Sequence, residues 1–325
     1  MLAGLAPLSA AQAGPRQQRL PLPSPFGVTT VNHLSLSVAD YARNRDFYVD
    51  VFGMRIAWDD GTKCALEFGS TASPNGLFVT NAPDGAVPSV NHIAFGLPNF
   101  RGRKAALYAA LQGYGLSNVR ADGEDGWLAT GLSGYQVEIV ATRSAAMFPG
   151  ASSHCAEAQS TDCRVAYAAG RPGKQRELGR APALKASAFA SIVLNVLDPD
   201  REIAFYRDIL GMQVINGTGA SGAEHFLRFG ENVLCLRRPP LSDGGSAHGA
   251  QFALAISNYE HADVFRKLAA AGVTAQPHTD RSWSLADPGG LQLVVSAANL
   301  ATHIANACAR GRREPCGLLT GIPVQ

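Results

Sequence analysis

Three residues of the N-terminal half carry side chains of the kind that hold catalytic metals: His33, His92 and Glu138. Imidazole nitrogens and carboxylate oxygens ligate divalent cations, and two of the first with one of the second leave coordination positions open to a substrate. Each residue sits in a segment that reads as a strand. Val31-Asn32-His33-Leu34-Ser35-Leu36-Ser37-Val38 and Val90-Asn91-His92-Ile93-Ala94-Phe95-Gly96-Leu97 both open Val-Asn-His and then alternate with period two. Leu34, Leu36 and Val38 share one face of the first, and His33, Ser35 and Ser37 the other. In the second, Ile93, Phe95 and Leu97 oppose His92, Ala94 and Gly96. Glu138 shares a face with Gln136 and Val140 in a third strand. A glutamate flanked by Val137 and Ile139 is costly to bury unpaired, which makes a cation a sensible partner. Spacing alone does not bring three such distant residues together.

The elements that must position them repeat along the chain. Asp40 suits a helix N-cap and Gly53 a helix stop, with Phe47 and Val51 at helical spacing between them. Phe47-Tyr48-Val49-Asp50-Val51-Phe52-Gly53-Met54 is echoed by Phe205-Tyr206-Arg207-Asp208-Ile209-Leu210-Gly211-Met212, so the chain holds two related halves. Each half divides again into two units of strand, helix and three strands. In the first half, strands are expected near 54–58, 64–68 and 77–80; a second helix over 102–111 precedes strands near 119, 127–130 and 136–140. In the second half, strands are expected at 191–197, 227–229, 233–236, 252–256, 283–285 and 291–295, with a helix over 261–271. Units of this kind bury their helices against one face of a curved sheet and leave the other face concave.

In this order and repetition the residues resemble the vicinal oxygen chelate superfamily, which includes glyoxalases, extradiol dioxygenases, fosfomycin-resistance enzymes and bleomycin-binding proteins. The resemblance covers about residues 29–145 and 188–297. It is carried by His33 opening a strand, the Phe47–Gly53 run, Asn91-His92-Ile93-Ala94-Phe95 and Glu138 in a last strand. Asp287-Pro288-Gly289-Gly290 resembles the family's turn before the last strand of the second half, where the first half has Gly131-Leu132-Ser133-Gly134. The resemblance implies an α+β fold of two tandem domains, each built of two βαβββ units forming a curved, half-open barrel. It also implies that His33, His92 and Glu138 converge on one divalent metal ion, Fe(II) in first place with Mn, Zn or Ni as alternatives. Glyoxalases usually add a fourth, carboxylate ligand from the strand occupied here by Leu77-Phe78-Val79, where no acid stands. The activity implied is that of a metal-dependent extradiol-type dioxygenase acting on a phenolic or other vicinal-oxygen small molecule. A glyoxalase-type isomerase, lyase or epimerase and a non-catalytic small-molecule-binding protein are the alternatives.

Aligned by motif, the second half has Ser191 for His33, Gln251 for His92 and Val294 for Glu138, and so lacks a ligand set. A single strand histidine is more often structural than a ligand; three donors in one half, absent from the other, point to metal. Phe78 and Trp127 read as walls of an aromatic-binding pocket or as core, and Tyr135 as a substrate hydrogen-bond partner or as packing at the rim. Asp122, Glu124 and Asp125 read as a solvated acidic loop.

The remaining features bound the setting. A chain of 325 residues suffices for two domains, expected at 29–150 (metal-binding) and 188–298 (degenerate), and 28 basic against 26 acidic residues point to neither nucleic acid nor membrane as partner. A small-molecule substrate and a monomer or homodimer are expected. Residues 1–13, ending Ala11-Gln12-Ala13, read as a clipped signal peptide, and 14–28, with four prolines, as a linker. Cys155 and Cys163 in the 151–187 connection, and Cys308 and Cys316 in the 299–325 tail, suit disulfides, within or between the two segments. A zinc site from these four fits less well, because the gaps exceed a zinc knuckle's. Both features agree with a periplasmic or secreted protein. Cys64 and Cys235 read as buried apolar fillers.

Overall fold

The computed structural model describes residues 25–70, 73–142, 181–215, 224–238, 250–298, 302–303 and 306. The 1–13 segment and Cys155, Cys163, Cys308 and Cys316 lie outside the described residues, and with them the expected disulfides. Cys64 and Cys235 are buried and belong to no disulfide. Among the described residues no helix is long and apolar enough to cross a membrane.

The first half runs β1 (Thr30–Val38), α1 (Tyr41–Phe52), β2 (Arg55–Asp59), β3 (Lys63–Ser70) and β4 (Ser73–Asn81). Its second unit is β5 (Ser89–Leu97), α2 (Phe100–Tyr114), β6 (Ser117–Asp122), β7 (Gly126–Thr130) and β8 (Gln136–Ala141). The eight strands form one open sheet in the order β2-β3-β4-β1-β5-β8-β7-β6. Asp40 caps α1 by accepting from the Arg43 amide, and Gly53 ends it in the left-handed region at φ 65°. The buried face of α1 is centred on Tyr48 and Phe52, while Phe47, expected on that face, is only partly buried.

The second half repeats the plan. β9 (Ala186–Asn195) leads into α3 (Pro199–Ala204), which widens into a π turn over Phe205–Ile209. Then follow β10 (Gln213–Ile215), β11 (Glu224–Phe229), β12 (Asn232–Arg237), β13 (Ala250–Ile256), α4 (His261–Ala270), β14 (Ala275–Thr279), β15 (Ser282–Ala286) and β16 (Gln292–Ala297). The strand order, β10-β11-β12-β9-β13-β16-β15-β14, mirrors the first sheet. β10 and β14, which the alternation pattern did not reveal, are its two edges. An edge tolerates Pro277, because the amide that proline lacks has no ladder partner there.

One hydrophobic core runs through both halves. Phe68 packs edge-on against Phe189 at 5.0 Å and Phe95 against Phe229 at 5.4 Å, and the Tyr48 hydroxyl donates to Asp287 Oδ2 at 2.9 Å. The end of the proline-rich stretch, expected as a linker, is packed structure. Phe26 and Val28 are buried, and their amides donate to the carbonyls of Ile209 and Leu210 at 2.8 and 2.9 Å. Gly230 closes this junction with φ +55°, and a Cβ built there would stand 2.1 Å from the Thr29 carbonyl oxygen. Gly230→Ala is therefore expected to destabilise the protein by about 2–4 kcal/mol, combining left-handed strain with overpacking. Chemical denaturation reads this directly; an unchanged midpoint would show that Thr29 does not press on that turn.

Candidate metal centre

The two histidines reach one point because of the β1–β5 ladder. His33 stands opposite Ala94, and His92 opposite Ser35, with the pair Leu34–Ile93 between them. The imidazoles are thus diagonal neighbours on one face, each facing a small side chain that leaves it room. β8 lies on the far side of β5 in parallel, with Glu138 opposite Ala94, so His33 and Glu138 close over that alanine from either side. The register does what spacing could not. The donor atoms of His33, His92 and Glu138 lie within 4.8 Å of one another.

Each asparagine preceding a histidine is the extra residue of a β-bulge. Asn32 falls between the paired residues Val31 and His33, and Asn91 between His92 and Val90, with no partner across the ladder in either case. Strict alternation would aim each asparagine away from its histidine; the bulge lets it turn back. Asn32 Oδ1 lies 3.1 Å from His33 Nδ1, and Asn91 Oδ1 3.0 Å from His92 Nδ1. Asn32 Nδ2 donates to the Thr142 carbonyl at 3.2 Å, which fixes which end of that amide faces the ring. An amide oxygen only accepts, so each Nδ1 carries the hydrogen and each Nε2 presents a lone pair. The Val-Asn-His repeat was visible in the sequence, but the role of its asparagines was not, because alternation places them on the wrong face.

The lone pairs meet. His33 Nε2 is 2.9 Å from His92 Nε2 and 3.0 Å from Glu138 Oε2, and His92 Nε2 is 3.5 Å from the same oxygen. These approaches are not ion pairs. Burial pushes His33 down to about 3 and, helped by the neighbouring His33, pushes His92 down to about 4, so both rings are neutral at pH 7. Burial raises Glu138 to about 8, and Asp122 adds to the rise. Glu138 Oε2 is buried and has no hydrogen-bond partner despite these close neighbours. A cation among the three atoms satisfies all of them at once. Bonds of about 2.1 Å at right angles put adjacent ligand atoms about 3 Å apart, the spacing found here.

Gly126 makes room for the carboxylate, since a Cβ there would stand 2.7 Å from Glu138 Oε1. Phe78 lies on the same concave face, paired with Ser35, with its ring 5.0 Å from that of His33. It lines a cavity of about 370 Å³ above the donors, together with Trp58, Lys63 and Asp122. Asp122, expected to be merely solvated, lines the same cavity as Glu138, and its charge helps to raise that carboxyl. Asp125, expected likewise, is buried and held by Arg101, whose Nε donates to its Oδ1 at 2.9 Å.

Two expected pocket residues are elsewhere. Trp127 pairs with Ile139 and so lies on the face opposite Glu138; its indole donates to the Lys104 carbonyl of α2 at 3.0 Å and packs on Tyr108. Tyr135 is directed to the junction of the halves, where its hydroxyl accepts from the Asn195 amide at 3.3 Å.

In the second half Ser191 stands opposite Ala253, and Ala253 opposite Val294, the same row that holds His33, Ala94 and Glu138 in the first. Ala253 and Val294 belong to a separate apolar cluster with Val193, Phe226 and Cys235. Among the described residues the first half has the only group of donors able to hold a metal.

Residues 30–124 and 188–295 match the family described as Glyoxalase/Bleomycin resistance protein/Dioxygenase superfamily. Comparison with curated proteins gives no match. Among solved structures, the chain is similar to the Mn(II)-bound glyoxalase from Novosphingobium aromaticivorans, with 17% identity, a TM-score of 0.61, and 84% of this chain and 83% of that one covered. It is similar to the 2,3-dioxygenase LapB from Pseudomonas sp. KL28, with 14% identity, a TM-score of 0.60, and 84% and 93% covered. A variant of homoprotocatechuate 2,3-dioxygenase from Brevibacterium fuscum shares 17% identity, with a TM-score of 0.61 and 86% and 74% covered. At these identities the likeness is one of fold.

Proposed function

The chain belongs to the Glyoxalase/Bleomycin resistance protein/Dioxygenase superfamily, and from that premise we propose that it is a metal-dependent enzyme of extradiol-dioxygenase type, acting on a small phenolic molecule with vicinal oxygens. The observation that carries the reading is the facing of three lone-pair donors about 3 Å apart, with Phe78 on the strand from which glyoxalases add an acid. A divalent metal bound there, Fe(II) in first place and Mn, Zn or Ni otherwise, supplies open positions that chelate vicinal oxygens and polarise them. His33 and His92 would hold it as neutral ligands oriented by Asn32 and Asn91, and Glu138 would bring the negative charge. Phe78 covers one side of His33, excluding water from it and offering the substrate an apolar wall. Among the described residues the cavity lining has no histidine or tyrosine beyond the ligands; of the titratable side chains there, Asp122 offers a carboxyl that could exchange a proton with a bound hydroxyl.

The glyoxalase-type reading draws on the likeness to the Mn(II)-bound glyoxalase, and the absence of an acid on the Phe78 strand weighs against it. Metal analysis of protein purified without chelators, together with oxygen uptake on catechol, separates the classes. Iron with catechol-dependent oxygen consumption is the expected result. Zinc or nickel without oxygen consumption would move the assignment to glyoxalase chemistry. A metal-free protein that still binds catechol would leave a binding protein.

A further inference from the structure

The cavity extends beyond the metal donors along one row of the sheet. Ser35 pairs with His92 on one side and Phe78 on the other, Phe78 with Ala65, and Ala65 with Trp58. Small residues at 35 and 65 alternate with the rings, so the row is a shallow apolar trough that starts at a metal donor. Phe78 and Trp58 line it with ring centroids 6.0 Å apart and planes tilted by 55°. In the next row Lys63 stands opposite Thr80, and its ammonium lies 5.8 Å from the centroid of the Trp58 ring. Both residues line the cavity.

Among the described residues no carboxylate lies within 4 Å of the Lys63 ammonium, and Asp60 feels its charge only at longer range. The acid of its own turn, Asp60, is engaged by the Thr62 amide, the Thr62 hydroxyl and the Lys63 amide at 2.8–3.0 Å. The lysine is thus left as a cation at the cavity mouth, steadied over an indole face. A divalent metal would mark one end of the trough and an ammonium marks the other, with aromatic surface between them. Such a surface is matched by an elongated ligand with chelating oxygens, a flat apolar body and an anionic end.

We infer that Lys63 binds a carboxylate on the substrate, whose ring lies along Phe78 and Trp58, so that the preferred substrate is an aromatic acid rather than a neutral phenol. This rests on the reading of the metal centre given above and adds the far end of the substrate to it.

The test uses the full chain, metal-loaded and kept free of oxygen, with binding measured by calorimetry. The probes are dihydrocaffeate and its amide, which carry the vicinal hydroxyls, and phenylpropionate and its amide, which lack them. In both pairs the wild-type protein is expected to bind the acid about tenfold more tightly than the amide, the scale of one charge-assisted contact. Lys63→Met should erase that preference, and Lys63→Arg should keep it. Equal binding of acid and amide by the wild type, or a preference that survives Lys63→Met, overturns the assignment. If the acid preference holds but the hydroxyls add nothing to affinity, the Lys63 subsite stands and the reading of the metal centre falls.

Discussion

Glu138→Gln is expected to abolish tight metal binding and, in the same protein, to stabilise the metal-free form above pH 7. The two effects share one cause. Glu138 is buried between neutral imidazoles, one oxygen lacks a hydrogen bond, and its carboxyl is held up to about 8. The unfolded chain releases this proton near the ordinary carboxylate value, whereas the folded, metal-free chain keeps it until about pH 8. The wild-type contribution from this group therefore falls as pH rises from about 4.5 towards 8. Glutamine keeps the shape without the charge and escapes that loss, a gain on the order of 2–4 kcal/mol near pH 8. Metal reverses the ranking, because saturation at about 1,000 times Kd stabilises the wild type by about 4 kcal/mol and leaves the variant unchanged. Thermal melts of both proteins at pH 6 and pH 8, with and without Mn(II), decide the matter. A metal-free variant less stable than wild type at pH 8 would mean that Glu138 already has a cationic partner.

His92→Ala should strip the metal and leave the fold intact, whereas Asn91→Ala should only weaken binding. His92 is the least buried of the three donors and closes the cavity from its open side, so truncating it removes a ligand without hollowing the core. Asn91 touches the ring from behind, at the Nδ1 hydrogen bond, and is itself exposed. Losing that bond frees the imidazole to rotate or change tautomer, for which about 10- to 100-fold in affinity is the usual penalty. Titration against a chromophoric chelator measures both variants, and circular dichroism checks that each is folded. Undiminished metal content in His92→Ala would remove the residue from the ligand set.

Much of this could be read from the chain alone. The paired Val-Asn-His strands, the Phe-Tyr-x-Asp-x-x-Gly-Met echo and the loss of donors at Ser191, Gln251 and Val294 gave the tandem fold and the half that carries the site. Phe78 and Trp127 read alike, as pocket wall or core, and only the structure separates them: Phe78 lines the cavity, while the β7–β8 register puts Trp127 opposite Ile139 and so behind the sheet. Tyr135, read as a substrate partner or as rim packing, is turned to the junction of the halves by a contact with the Asn195 amide that only the tertiary structure reveals. The bulges at Asn32 and Asn91 break alternation and leave no compositional trace, so the asparagines were invisible as partners of the rings. Asp122 and Asp125 looked like one acidic loop, and only tertiary structure sent one to the cavity and buried the other against Arg101.

The apolar cluster that replaces the donors in the second sheet has a thermodynamic consequence. Three donors facing one another, two of them buried, weaken the first sheet whenever no cation is present, while methyl groups and an aromatic ring at the matching region of its twin favour the second. One core joins the two copies, so they pack as neighbours in a single hydrophobic cluster. The duplication lets one copy of the fold carry closely facing polar donors where the other, among its described residues, is packed with apolar side chains.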